Sequence, residues 1–392
     1  MSIHTALERH QDFARDVWDR LTRKMPVALR KAEGLSFIPY TTSGGAWQPA
    51  PFDGICWWTN GFWPAEMWQM YLATGKELYR AEALRAETLM DEALKNFTRL
   101  HHDVGFLWLI NSGVHYALDG NADSLTRMLF AGNILAGRYN PNGFVRAWND
   151  NNDGARAGWS IIDTMMNLPL LYTMSAYTHD PRFALMAKSH ADHVIQNFFK
   201  PDGSVYHIVC YNAETGAIED TPAGQGCAPG SSWSRGQSWA MYGFMLSYLH
   251  TGDRRYIAAS RRVSDYFLSH MPEDMLAPVD FCQSAEPHLI DNCANGIAAC
   301  GLIELAKAIQ DEAPEAAESY MNAARALLRA LDEHCADWTE KTPAVLTHCT
   351  SAYHDEAGHH IAMDYGDYFF IEGVRKLAGE TRLFWKPLDF AK

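Results

Sequence analysis

Residues 58–89 read WTNGFWPAEMWQMYLATGKELYRAEALRAETL, and the change of character at Gly75 decides the fold. Up to Thr74 the stretch is aromatic, Met- and Ala-rich, with Glu66 its one charge, the composition of a helix buried nearly all round. From Tyr79 onward charges recur on one face, as in a helix that packs with one side and faces water with the other. Gly75 can close the first helix in the left-handed conformation, so the two form a hairpin. The same bend recurs at Leu118-Asp119-Gly120-Asn121, Thr178-His179-Asp180-Pro181-Arg182 and His250-Thr251-Gly252-Asp253-Arg254, and more weakly at Asp311-Glu312-Ala313-Pro314. Buried inner helices are predicted over 58–74, 103–118, 160–177, 232–250, 291–310 and 365–378. Amphipathic outer helices are predicted over 5–30, 79–100, 183–199, 256–271 and 316–334, among others. About six such hairpins make an all-α (α/α)6 toroid, or barrel, expected to span 1–392 as a single catalytic domain.

The connections are unequal in length. Turns from inner to outer helices are short, whereas the segments leading into inner helices are long: 31–57, 139–159, 200–231, 271–290 and 336–364. Long loops and inner-helix N-termini must therefore share one mouth. Helix N-termini present free N–H groups and partial positive charge, which suits an anionic ligand even on an acidic chain. Within 200–231 an alternating run from Val205 to Cys210, followed by Glu214-Thr215-Gly216, predicts a small β-hairpin that holds His207 over the mouth.

A net charge of −14 over 392 residues repels phosphate backbones, which excludes nucleic acid as an expected partner. Eight cysteines without a C-x-x-C pair are expected to be reduced thiols. The start of the chain lacks a basic and apolar leader, and no stretch is apolar enough to span a bilayer, so no membrane association and a cytoplasmic location are expected. Asn149 to Gly154 resembles the opening of a calcium loop, but its twelfth position is Ser160, not Glu, so an Asx-turn is the reading. His101-His102 and His359-His360 lack a second ligand pair, and adjacent histidines do not share a helix face, so no metal is expected. No organic cofactor is expected either, since no phosphate loop, dinucleotide fingerprint or nucleophile elbow occurs.

Polar and aromatic residues crowd the predicted starts of the inner helices: Trp57 to Pro64, His102-Asp103, Trp148-Asn149, Asp163, Ser231 to Trp239 and Asp364 to Tyr368. Aromatic faces stack on the C–H faces of sugars, while Arg235 and Gln237 supply directional donors to oxygen, so an acidic sugar is the implied ligand. Asp103 and Asp163 each stand where an aromatic-rich turn meets an apolar stretch. Both positions suit a helix cap. They equally suit a pair in which a desolvated carboxyl keeps its proton near neutral pH while a better solvated partner stays ionised. Arg235 near a helix start opposes the helix dipole, which favours a ligand-binding reading. Ser231 or Ser232 is expected to cap that helix, and Pro169 to kink the inner helix that contains it.

The motifs at Trp58 to Pro64, His102 to Phe106, Ile161 to Leu168 and Ser231 to Trp239, with the ending Tyr365-Gly366-Asp367-Tyr368, resemble those of the family-88 unsaturated glucuronyl hydrolases, in order and over nearly the whole chain. The resemblance implies an (α/α)6 barrel that removes a 4,5-unsaturated uronic acid from the non-reducing end of lyase-generated di- or oligosaccharides, without metal or cofactor. It also implies Asp163 as general acid/base and Asp103 as a second essential carboxylate. His207, Gln225, Trp233, Arg235 and Trp239 then line the unsaturated-uronate subsite, with Trp58, Phe62 and Trp148 as wall residues. Glu356 to His360 stands where sulfate-accepting members resemble one another in having Ser and Lys, which speaks against a preference for sulfated disaccharides. The neighbouring alternative is an unsaturated rhamnogalacturonyl hydrolase acting on pectin fragments. A sugar 2-epimerase and a non-catalytic carbohydrate-binding protein are further ones, and monomer and homo-oligomer both remain open.

Overall fold

The computed structural model describes residues 3–51, 54–150 and 154–388, with residues 3–10 through their backbone alone. Positions 151–153, the middle of the calcium-loop look-alike, lie outside the described residues, as do Met1 and Ser2. Twelve helical elements alternate between two layers. The outer layer holds α1 (Ile3–Ala32), α3 (Glu77–Leu89), α5 (Ala122–Ala136), α7 (Pro181–Asn197), α9 (Arg255–Ser269) and α11 (Pro314–Ala330). The inner layer holds α2 (Phe62–Thr74), α4, α6 (Leu168–Thr178), α8 (Ser234–Thr251), α10 (Asn292–Ile309) and α12 (Asp364–Leu377). Here α4 runs from Val104–Trp108 through a π turn, Leu109–Gly113, into Val114–Asp119. Each inner helix packs on the next, α12 on α2 closes the ring, and α1 lies against α12 from outside. This is the expected (α/α)6 barrel.

Helix ends follow local chemistry. Gly75, Gly120 and Gly252 end α2, α4 and α8 in the left-handed conformation, and His179 takes the same place after α6 at φ 56°. Asn121, Asp180 and Asp291 accept backbone N–H bonds at the starts of α5, α7 and α10. Inner helices are buried on all sides; every residue of α8 from Ser234 to Ser247 is buried.

Four local expectations need correction. Two short hairpins, Thr41–Ser43 with Ala46–Gln48 (β1, β2) and Tyr139–Asn140 with Phe144–Val145 (β3, β4), precede a sheet in which Ser160 and Ile161, predicted as helix, belong to strand Trp159–Ile161 (β5), paired antiparallel with Ile208–Tyr211 (β6), which pairs in turn with Ile218–Asp220 (β7). The predicted hairpin is therefore two strands of a three-stranded sheet, with His207 just before β6. Second, Pro169 lies in the first turn of α6, where a missing N–H costs nothing, so it starts a helix and does not kink one. Third, neither Ser231 nor Ser232 caps α8: Trp233 is at the cap position. The Ser231 hydroxyl donates instead to Asp280 Oδ2 (2.5 Å) and the Ser232 N–H to Oδ1 (3.0 Å), tying 271–290 beneath the mouth. Fourth, the outer helix predicted over 79–100 stops at Leu89 and resumes as the short helix Asp91–Lys95 and a single turn Phe97–Arg99.

At the end of the barrel opposite the mouth, the segment after α12 folds back so that the Trp385 ring stacks on Phe369 (6.0 Å, 5° between planes) and seals the floor.

Candidate active site

The inner-helix starts surround an open cavity of about 1400 Å³. Its wall is built from residues of 40–51, Trp57, Trp58, Thr98, Arg99, His101, Asp103, residues of 148–150 and 155–163, Gln225, Arg235 and residues of 351–365; among the described residues, 271–290 contributes none. Of the residues singled out in the sequence, Asp103, Asp163, Trp58, Trp148, Gln225 and Arg235 line this wall. His207 stands directly behind Asp163, with its Nε2 3.6 Å from Oδ1. Trp233, Trp239 and Phe62 do not reach the wall. They pack behind it: Trp233 on the His207 ring (4.2 Å), and Trp239 and Phe62 on Phe106 (both 5.3 Å). Their size and burial serve the core, which is where most tryptophans belong.

Asp163 sits in the 3-10 turn Ile162–Met166 between β5 and α6, and that turn points its carboxyl into the cavity. It is 8% exposed, and Oδ1 has no hydrogen-bond partner among the described residues. Burial, reinforced by the charge on Asp103, pushes it up to about 7. His102 and Arg235 hold it from rising further. The proton it keeps near neutrality is thus a transferable one.

Asp103 occupies the cap position of α4 without capping it. Its Oδ1 lies 3.1 Å from His102 Nε2 and accepts the Asn167 amide (3.2 Å), and its Oδ2 lies 3.4 Å from His101 Nδ1. Burial by itself would raise this carboxyl, but His102, His101 and Asn167 together hold it below the usual carboxylate range. The division of labour expected from the sequence is present, with a different cause. At 6% exposure Asp103 is no better solvated than Asp163; its neighbours, not water, keep it ionised.

Asn167 also donates to the Asp163 carbonyl (3.3 Å) and accepts the Phe106 N–H (3.0 Å), so one amide joins both carboxylate-bearing segments. Gly105 is what lets it in: a Cβ there would stand 2.6 Å from Asn167 Oδ1 and 2.9 Å from its Cα. His207 Nδ1 accepts the Gln225 N–H (3.1 Å), which leaves the proton of the neutral ring for Nε2, the side of Asp163. Burial pushes His207 down to about 3, so it stays neutral.

Arg235, 1% exposed, is paired: Nε donates to Asp291 Oδ2 (2.8 Å) and Nη2 to the Thr350 carbonyl (2.7 Å), with the guanidinium over the Trp233 ring at 5.0 Å. Asp291, at the cap of α10, is the partner that offsets the unfavourable helix dipole. The cation therefore welds α8, α10 and the backbone at Thr350 together while still facing the cavity, and the mouth is less cationic than Arg235 alone suggests. Tyr365 completes the aromatic wall against Trp58 at 4.9 Å.

Sequence reading gave no role to Asn167 or Asp291, and named Tyr365 and His102 only among the residues crowding the inner-helix starts and in the motifs. As a pair, His101 and His102 were weighed as metal ligands. They lie in a turn, where their rings stack at 5.1 Å and both meet Asp103. With Asp103 they form a group whose ligand atoms lie within 4.8 Å of one another, as do those of Asp291, Cys293 and Cys349. In the first group both histidines meet Asp103, and in the second Asp291 is paired with Arg235.

Comparison with known proteins gives the family and the fold. The model of Glycosyl Hydrolase Family 88 matches residues 20–369. An unsaturated glucuronyl hydrolase of Bacillus sp. (strain GL1) is 31% identical over 84% of this chain and 88% of its own length. An unsaturated chondroitin disaccharide hydrolase of Streptococcus pneumoniae is 30% identical over 86% of this chain and 87% of its own. The crystal structure of the Bacillus sp. GL1 unsaturated glucuronyl hydrolase superposes with a TM-score of 0.85, at 28% identity, covering 91% of this chain and 96% of that one.

Proposed function

The chain belongs to glycosyl hydrolase family 88, and from that premise we propose that it removes a 4,5-unsaturated uronic acid from the non-reducing end of oligosaccharides left by polysaccharide lyases, with Asp163 as general acid and base. One observation carries the reading. Asp163 is a buried carboxyl on the cavity wall, free of hydrogen bonds at Oδ1 and protonated up to about pH 7, beside an Asp103 that its neighbours keep charged.

The chemistry follows from the substrate's C4=C5 enol ether. Asp163 gives its proton to C4, leaving positive charge shared between C5 and the ring oxygen. Water adds at C5 and passes a proton back to the Asp163 carboxylate. The resulting hemiketal opens and releases the remaining sugar. Asp103 orients the sugar hydroxyls and offsets the positive charge that develops nearby. Arg235 and the inner-helix N-termini meet the uronate carboxylate, while Trp58 and Trp148 stack on the sugar faces. His207 and Gln225 shape the subsite around Asp163, with Trp233, Trp239 and Phe62 supporting it from behind.

The reading further takes residues 1–392 as one catalytic domain in the cytoplasm. The cysteine pattern, eight residues without a C-x-x-C pair, supports that compartment, and no helix among the described residues is long and apolar enough to cross a membrane. The test follows the loss of double-bond ultraviolet absorbance over sulfated and unsulfated chondroitin, hyaluronan, heparin and pectin lyase products, with wild type beside Asp163→Asn. Unsaturated glucuronyl disaccharides should lose absorbance with wild type, unsulfated ones fastest, and should keep it with the variant while binding within about tenfold of wild type. Loss on pectin fragments alone would point to a rhamnogalacturonyl enzyme. Normal turnover by the variant would remove Asp163 from the mechanism.

A further inference from the structure

Two carboxyl groups in one dry site compete for a single proton, and burial does not choose between Asp103 and Asp163, which are 6% and 8% exposed. Their neighbours differ. Asp163 is faced by Asp103, by Arg235 from α8, and by neutral His207 from the strand side at 3.6 Å. Asp103 is faced by His101 and His102 from its own turn and by Asn167 from the segment entering α6, with Arg138 farther off at the end of α5. Asn167 is divided between Asp103 and the Asp163 carbonyl. His102 is not divided. It is wholly buried, its Nε2 is 3.1 Å from Asp103 Oδ1, and neither ring nitrogen has a hydrogen-bond partner elsewhere among the described residues. The ring is fixed from two sides, stacked on His101 (5.1 Å, 26°) and edge-on to Trp148 (6.3 Å, 71°). It does not line the cavity, so the sugar does not touch it.

We propose that His102 is a positioning residue of the hydration reaction: its imidazole fixes the negative charge on Asp103 and so leaves the transferable proton to Asp163. The inference rests on the acid/base reading of Asp163 given above and adds a residue that acts through Asp103. Without His102 the proton spreads over both carboxyls, and part of the enzyme carries it on the one that cannot reach C4. The loss should appear in turnover and its pH dependence, with little effect on binding.

The experiment compares wild type, His102→Gln and His102→Leu by following double-bond absorbance on one unsaturated disaccharide from pH 5 to 9, with Asp163→Asn as control and circular dichroism to establish folding. Expected are a kcat lower by about tenfold in the Gln variant, which keeps a neutral donor, and by about a hundredfold in the Leu variant, with KM within about threefold. The alkaline fall of kcat should also move to higher pH in both, because Asp163 is released to rise and a proton shared by two carboxyls is held more tightly. Folded variants with kcat within about twofold of wild type and an unmoved pH profile would overturn the proposal, as would a loss confined to KM. If the Leu variant does not fold, the pH profile of the Gln variant decides alone. Turnover surviving in Asp163→Asn would instead sink the underlying mechanism, whatever the His102 variants do.

Discussion

At the floor of the barrel Glu372 accepts hydrogen bonds from the Tyr242 hydroxyl and from Trp385 Nε1 (3.1 Å), while Lys376, fully inside, reaches Glu304 Oε1 at 2.5 Å. At the mouth, on the other ends of the same inner helices, Asp163 is buried with Oδ1 unpaired. Both regions are dry, so burial alone does not set what a carboxyl does. At the floor Lys376 overcomes burial and holds Glu304 below its ordinary range; at the mouth nothing of that kind reaches Asp163, and it rises to about 7. The floor's pairs hold the fold together, while the mouth's unpaired acid is a standing cost that leaves a proton available for chemistry.

The largest effect should come from breaking the floor. Lys376→Met leaves Glu304 with only the longer Lys307 pair at 3.4 Å and removes the Glu372 pair at 3.5 Å, and should cost about 3–5 kcal/mol in denaturant unfolding, with activity per folded molecule little changed. A negligible cost would mean the floor's pairs are as expendable as surface ones.

Next comes the opposite sign at the mouth. The folded-state value of Asp163 lies above its unfolded one, so its burden is absent below about pH 4 and complete above about pH 7. Asp163→Asn should therefore stabilise the protein by up to about 4 kcal/mol at pH 8, with the gain fading as pH falls to 4. An equal gain at both pH values would show that charge is not its cause. Turnover in wild type should decline as pH rises through about 7, while Asp103, held low, limits activity only in strong acid.

A smaller cost should follow from Gly105→Ala, whose methyl group meets Asn167 at 2.6 Å. About 1–3 kcal/mol of stability should be lost together with much of the turnover, because Asn167 joins the two carboxylate segments. Stability lost with turnover intact would release Asn167 from that role. The smallest change is His179→Gly, an exposed residue at φ 56°, which should gain up to about 1 kcal/mol in thermal unfolding and leave kinetics alone.

The sequence made the barrel legible because its punctuation is local: a Gly or a Pro within a few residues ends one helix or begins the next. Asp103 and Asp163 were legible for the same reason, each standing at a visible junction. What joins them was not, since Asn167 meets Phe106 across 61 positions and Arg235 meets Asp291 across 56. Ser160 and Ile161 of strand β5 were misread as helix because they pair only with a partner some 50 positions on, through Ser160 and Val209. Ser232 resembles a cap in isolation, and only Asp280, brought in by a distant loop, shows otherwise.

Because α12 closes the ring on α2 and clasps α1, the ring cannot shut before α12 has left the ribosome. At about 5–20 residues per second, the first-made helix waits on the order of tens of seconds for its partner. The carboxylate pair is translated early, but the wall that Tyr365 completes comes last, so a half-made chain has the acid without the chamber in which to use it.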